Sequence, residues 1–273
     1  MRKSKRRTGL ITVKPGHKVD LGDIDTGATG DYRAKEEAQE RLCELESRLC
    51  TLQERLFAEH KQSLLIVLQS LDTGGKDGTV SHIMRGVNPA GVEVANFKAP
   101  NDVELSHDFL WRSHRKAPAK GLIGVWNRSH YEDVLIVRVH DLVPAKVWKR
   151  RYDDINAFEK MLDNNGVRIL KFFLYISRDE QKKRLQERLE DPDKHWKFSA
   201  NDLKERAFWG KYMDAYEEAL EKCSTSYAPW HIVPADHKWS RNLAVAEKVV
   251  AALEDMDPKY PQVNFDPSSI SID

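Results

Sequence analysis

The sequence predicts an α/β fold in which a parallel sheet is covered by helices on both sides. Three observations carry this expectation. Five apolar runs read as strands: Ser63–Leu71, Gly91–Phe97, Gly121–Trp126, Ile169–Ser177 and Trp230–Pro234. The first is almost unbroken, as a strand buried on both faces must be. Helix-patterned segments separate several of them, notably Asp179–Glu190, Asn201–Glu221 and Ser240–Met256, and strands that alternate with helices belong to a parallel sheet. Finally, a glycine-rich turn joins the first run directly to a helical stretch.

Taken in order, residues 1–30 read as a basic arm and linker. Residues 1–20 hold seven Lys/Arg and one acidic residue, with no apolar segment behind them, which excludes a secretory signal. Gly9, Pro15 and Gly16 break any helix there, so a flexible arm docking on its own domain is expected. Thr26–Gly30 is read as linker. From residue 31, Leu42, Leu45, Leu49, Leu52 and Leu56 recur at spacings of three and four, which makes an amphipathic helix. The stripe covers about two heptads, too short for a sustained coiled coil and suited to packing on the domain. Residues 31–257 are expected to form one domain, with a lid at about 179–215, and residues 258–273 a Pro/Ser-rich tail. Val134–Val139 reads equally as a strand or a short helix.

Composition narrows the function. The chain has 44 Lys+Arg against 43 Asp+Glu, so it lacks the global positive field of a general nucleic-acid binder, and any polyanion site must be local. No apolar run approaches the ~18 residues of a membrane span. Cys43, Cys50 and Cys223 build neither a disulfide framework nor a zinc spacing and read as small buried side chains, which fits a reducing cytoplasm. The ten histidines form no ligand set.

Three runs carry chemistry. Asp72-Thr73-Gly74-Gly75-Lys76-Asp77-Gly78-Thr79 follows the first strand and opens a helix, where backbone N–H groups gather phosphate oxygens. Lys76 supplies a mobile cation, and Asp72 or Asp77 can hold magnesium. The run departs from the common Gly-x4-Gly-Lys-Ser/Thr pattern: Ser70 stands at the first glycine and Asp77 at the hydroxyl position. The second run, Asn127-Arg128-Ser129-His130-Tyr131-Glu132-Asp133, ends another strand and can face the same crevice. Arg128 can clamp phosphate there, while Glu132 or Asp133 orients an acceptor or a hydrated metal ion. The third run is basic. Arg184 and Arg188 share a helix face, and Lys197 follows beside Trp196, which can line a nucleotide pocket. Long cations on a helical hairpin suit a lid that closes over phosphate and excludes water.

Together these runs resemble the polyphosphate kinase 2 family, with Val87-Asn88-Pro89 and Tyr227-Ala228-Pro229-Trp230 matching as well, over roughly residues 35–257. The resemblance implies a P-loop kinase fold like that of thymidylate kinase, with a helical lid. It implies transfer of a terminal phosphate between inorganic polyphosphate and a nucleotide, ADP or AMP, with magnesium. Carried over by motif, Asp72, Lys76 and Asp77 are phosphate-loop and metal residues, with Gly74, Gly75, Gly78 and Thr79 around the phosphate. Arg128 is a clamp, and Arg184, Arg188 and Lys197 are lid cations. Many relatives carry aspartate where Asn127 stands, so a second metal ligand must come from Asp133 or Glu132, or from phosphates and water. The Asn-Arg-Ser-His-Tyr-Glu-Asp version resembles the subgroup that accepts both AMP and ADP. The competing expectations are an ATP-dependent nucleotide kinase on the same fold, a binding protein without turnover, and a nucleic-acid role for the basic arm. A homo-oligomer is expected.

Overall fold

In the computed structural model the chain is described over residues 7–266 and 269–272. Its elements in chain order are β1 (Ile11–Thr12), α1 (Lys35–Glu59), β2 (Ser63–Gln69), α2 (Lys76–Ile83), β3 (Val92–Asn96), the single turns α3 (Asp102–Leu105) and α4 (Trp111–His114), β4 (Ile123–Asn127), α5 (Ile136–Val139), α6 (Ala145–Asn164), β5 (Val167–Tyr175), α7 (Arg178–Glu190), α8 (Ala200–Ala207), α9 (Trp209–Cys223), β6 (Trp230–Pro234) and α10 (Lys238–Met256). The six strands form one sheet in the order β1-β6-β5-β2-β4-β3. All pairings are parallel except the edge pair β1 and β6. The α/β expectation therefore holds, and all five predicted runs contain strands.

The two faces of β2 explain why its sequence is continuously apolar. Leu65 and Val67 enter one core with residues of α6 and α9, whereas Leu64, Ile66 and Leu68 enter a second core with α1 and α10. All seven residues of β2 are buried. On α1 the five stripe leucines lie at 6% exposure or less and meet Leu243, Val249 and Leu253 of α10, so the stripe packs on the domain rather than on a coiled-coil partner. Burying one such side chain contributes about 1.5–3 kcal/mol, which is how a helix with so many charges is held.

Three expectations change, and one open alternative is decided. Asn201–Glu221 is two helices, because Phe208 leaves helical geometry (φ −90°, ψ 15°) between α8 and α9 and its ring packs on His140. Thr26–Gly30 is no loose linker: the Thr26 hydroxyl donates to Asp236, and the Asp31 N–H donates to the Arg7 carbonyl at 2.7 Å. Val134–Val139 resolves as the short helix α5. The cysteine reading fits Cys223 alone, since Cys43 is exposed and Cys50 half-buried. Ile11 and Thr12 do dock on β6, and the Leu21 N–H is taken by Glu217. Residues 1–6 of the basic arm lie outside the described residues.

Candidate active site

The strand order reverses at β2, and the loops leaving β2 and β4 meet at the carboxyl end of the sheet, where ligands of open α/β sheets collect. The glycine-rich loop is shaped by close contacts. A Cβ on Gly74 would lie 1.5 Å from the Ser70 hydroxyl, and Gly75 has φ +95° with the Arg241 guanidinium where its Cβ would be. Only glycine fits such positions. Gly75 caps α2 without a side chain, so the first N–H groups of the helix remain open to an anion.

Lys76 rests with its ammonium on the carbonyls of Ser70 (2.8 Å) and Leu71 (3.3 Å). Burial and the neighbouring Arg128 lower its pKa to about 8, against the opposing pull of Asp72, Glu132 and Asp77. Arg128 adopts the left-handed conformation (φ +60°), an uncommon one for a residue with a side chain. Its N–H bonds to the Leu68 carbonyl, and its Nη2 meets Asp72 Oδ1 at 3.0 Å. Burial pushes the half-buried Glu132 upward in pKa and outweighs Arg128 and Lys76.

These groups line two cavities that share Asp72 and Arg128. The larger, about 520 Å³, presents nine Lys/Arg (Lys76, Lys98, Arg128, Arg184, Arg188, Lys194, Lys197, Lys238 and Arg241) against Asp72, Asp77 and Glu187. The smaller, about 140 Å³, is lined by Glu132, Asp202 and Glu205 with the aromatic rings of Trp209, Tyr212 and Tyr216. The first has the charge balance that a polyanion requires.

With this geometry in view, the comparisons decide the family. The family model for polyphosphate kinase 2 matches residues 32–261. The chain belongs to the polyphosphate kinase 2 family. It is 48% identical over 251 residues to the AMP/ADP-polyphosphate phosphotransferase of Meiothermus ruber, covering 92% of this chain and 94% of that one. It is 43% identical to the ADP-polyphosphate phosphotransferase of Rhodopseudomonas palustris, covering 94% and 93%. The crystal structure of polyphosphate kinase 2 from Arthrobacter aurescens TC1 superposes with a TM-score of 0.91 at 46% identity, covering 94% of this chain and 93% of that one. The P-loop kinase fold follows from this match, as does the assignment as a phosphotransferase.

Within that family frame the residues singled out from sequence divide. Asp72, Gly75, Lys76, Asp77, Gly78, Asn127, Arg128, Arg184, Arg188 and Lys197 all line the larger cavity. Thr79 is fully buried and its hydroxyl donates to the Gly75 carbonyl, so it serves the helix rather than the cavity. Asp133 lines neither cavity: its carboxylate takes Arg151 at 3.1 Å and faces Arg112 at 3.8 Å. Burial raises its pKa to about 6 despite both arginines. Asp133 reads from this as a structural ion-pair member, and Glu132 as the carboxylate of that run turned to the site. Arg184 is only 5% exposed and spends its donors on the carbonyls of Thr73, Ala235 and Asp236 and on Glu180, holding the loop. Arg188 ties the Lys197 carbonyl and Asp202. Trp196 is 78% exposed and lines neither of these two cavities, so the nucleotide-pocket reading of it gains no support.

Two features escaped the sequence reading. Arg241, 3% exposed, donates to the Gly74 carbonyl and has no carboxylate ion-pair partner among the described residues; burial and Arg184 lower its pKa to about 10. The signal was present, because the first turn of α10 has no acid and bears Lys238 and Arg241, cations at the helix end that favours anions. The second is a buried network beneath the Arg128 loop. Lys171 donates to Glu159 (2.6 Å), the Tyr131 hydroxyl (2.9 Å) and the Cys223 carbonyl (2.6 Å), and Glu159 also meets His130 and Tyr131. Burial alone would raise Glu159, but Lys171 and His130 hold it below the ordinary carboxylate range.

For a divalent ion, the described residues contain no group of three or more His, Cys, Asp or Glu. Asp72 and Asp77 nevertheless sit on one cavity wall, with Asn127 Nδ2 donating to Asp77 Oδ1 at 2.5 Å. Magnesium is commonly held by one or two carboxylates with substrate phosphates and water, and this donor set fits that habit.

Proposed function

We propose that the protein transfers the terminal phosphate of inorganic polyphosphate to AMP and ADP, with magnesium held by Asp72 and Asp77. The observation that carries this reading is the asymmetry of the two cavities. The larger concentrates cations and contains one aromatic ring, Phe97, itself packed on Trp126. It suits a chain of phosphates and has no slot for a base. The smaller offers Trp209, Tyr212 and Tyr216 to a base. The names carried by the relatives support the same pair of substrates.

In this mechanism the donor's terminal phosphate displaces the Lys76 ammonium from the Ser70 and Leu71 carbonyls and settles on the open N–H groups of α2. Lys76 and Arg128 then spread the charge that grows on the transferring group, which is the main task in phosphoryl transfer. When bound, the metal ion would add charge neutralisation between the phosphates. The acceptor phosphate enters from the Glu132 side of the shared wall, in line with the donor. It is already deprotonated at neutral pH, so Glu132 orients it rather than acting as a strong base. At about 140 Å³ the smaller cavity is below the usual size for a whole ligand, so α7–α9 act as a lid that opens to admit the nucleotide and closes to exclude water. The protein acts in the cytoplasm as a homo-oligomer.

The test offers AMP and ADP separately to purified protein with magnesium and long-chain polyphosphate, and follows ADP and ATP by chromatography. ATP from ADP and ADP from AMP are expected. Phosphorylation of AMP by ATP, with no product from polyphosphate, would replace this reading by an ordinary nucleotide kinase.

A further inference from the structure

At the opposite end of the sheet lies a cavity that phosphate transfer does not use. The amino ends of β5 and β6 and the second half of α10 enclose about 450 Å³, within the usual range for a small-molecule site. Ile169, Leu170, Pro229, Ala251 and Ala252 make an apolar wall. The acidic groups on its rim are committed: Asp163 pairs with Lys160 and Asp255 with Arg168, each at 2.8 Å. Lys248 has no ion-pair partner among the described residues, and its pKa is lowered by burial and by Arg168.

His231 lies at the floor, wholly buried. Its Nδ1 is 2.9 Å from the Thr12 hydroxyl on the paired strand, whereas its Nε2 has no partner. Burial, with Lys248 and Lys171 nearby, lowers the ring's pKa to about 3, so it is neutral and brings no charge. We assign the Thr12 hydroxyl as the donor to Nδ1, which puts the ring proton on Nε2. A buried donor left unpaired costs about 1–3 kcal/mol, and an ammonium drawn out of water adds to that cost. One ligand answers both groups: an acceptor with a negative charge. The neighbouring apolar wall requires that the charge be attached to a hydrophobic body.

We propose that this cavity binds a small organic anion, one carboxylate or phosphate group on an apolar body, with Lys248 and His231 at the charged end and Ile169, Leu170 and Ala252 along the body. The site is separate from the catalytic crevice and its existence does not depend on the proposed reaction.

The experiment is calorimetric titration of the full chain, with the crevice first saturated by long-chain polyphosphate. Hexanoate and hexyl phosphate are the probes, and hexan-1-ol and inorganic phosphate are the half-ligands. At least one amphiphile should bind one to one and about tenfold more tightly than either half-ligand; which one binds identifies the head group. Lys248→Met should weaken that binding about tenfold, the usual worth of a hydrogen bond to a charged group. Ala251→Phe, an exposed helix position at the cavity wall, should abolish it by filling the space. Both variants should keep the melting temperature and the kinase rate. Absence of binding by both amphiphiles, equal binding of hexan-1-ol, or undiminished affinity in either variant would overturn the proposal.

Discussion

Lys171 and Lys76 are two lysines drawn out of water around one sheet, and they are held in opposite ways. Lys171 has a carboxylate, a hydroxyl and a carbonyl around its ammonium, so charge and donors are both satisfied. Lys76 hydrogen-bonds only to carbonyls of its own loop, with Asp72, Glu132 and Asp77 acting on it without a direct ion pair, and its pKa falls to about 8. Carbonyls accept hydrogen bonds but do not neutralise charge. A buried cation given a carboxylate is therefore architectural, and one given carbonyls alone retains affinity for an incoming anion. Arg241, on Gly74 and Asn242 oxygens, belongs with Lys76.

The comparison breaks if Lys171 proves dispensable. Lys171→Met leaves the buried Glu159 without its cation, with only His130 and Tyr131 beside it, and should cost about 3–5 kcal/mol in denaturant unfolding. The Lys171→Met/Glu159→Leu pair should recover much of that loss. If the single variant unfolds like the parent protein, the network is not architectural.

Lys76→Ala should do the converse, lowering kcat by about 10²–10³ with the unfolding midpoint unchanged. A near-normal rate in that variant would remove Lys76 from the reaction. Arg241→Met sharpens the class boundary. Its guanidinium shapes the loop and faces the cavity, so the KM for polyphosphate should rise about tenfold, with a smaller effect on kcat. An unchanged KM would return Arg241 to the architectural class.

The smallest effect is in pH. Free Lys76 has a lowered pKa, so it loses its proton, and the donor site its charge, as pH rises through about 8. The kcat/KM for polyphosphate should therefore fall about fourfold between pH 7 and 8.5, following the protonated fraction of the free enzyme. Lys76→Arg, which stays charged, should flatten that limb whatever its absolute rate. A profile still falling in that variant would assign the titration to another group.

Much of the site was legible because its chemistry is local. A strand, a glycine-rich turn and a helix N-terminus are consecutive in sequence, so Gly74, Gly75 and Lys76 could be read as a phosphate loop before any tertiary contact was known. Asp133 was harder. It is adjacent to Glu132, and only the turn at residues 130–133 decides which carboxylate faces the cavity and which meets Arg151. Arg184 lay on the right helix face, yet its commitment to the carbonyls of Thr73, Ala235 and Asp236 depends on chain segments 50 to 110 residues away. Lys171, a cation in the middle of an apolar strand, stands out in the sequence, but its partners come from α6, the Arg128 loop and the end of α9.

The sequence by itself determined five of the six strands, their alternation with helices, and the position of the phosphate loop, because burial periodicity and backbone geometry act over a few residues. Tertiary structure alone decided which charges are neutralised and which remain open. That outcome depends on whether a carboxylate or merely a carbonyl arrives from a distant segment, and Coulomb energy in a partly dry interior depends on distance through space, not along the chain.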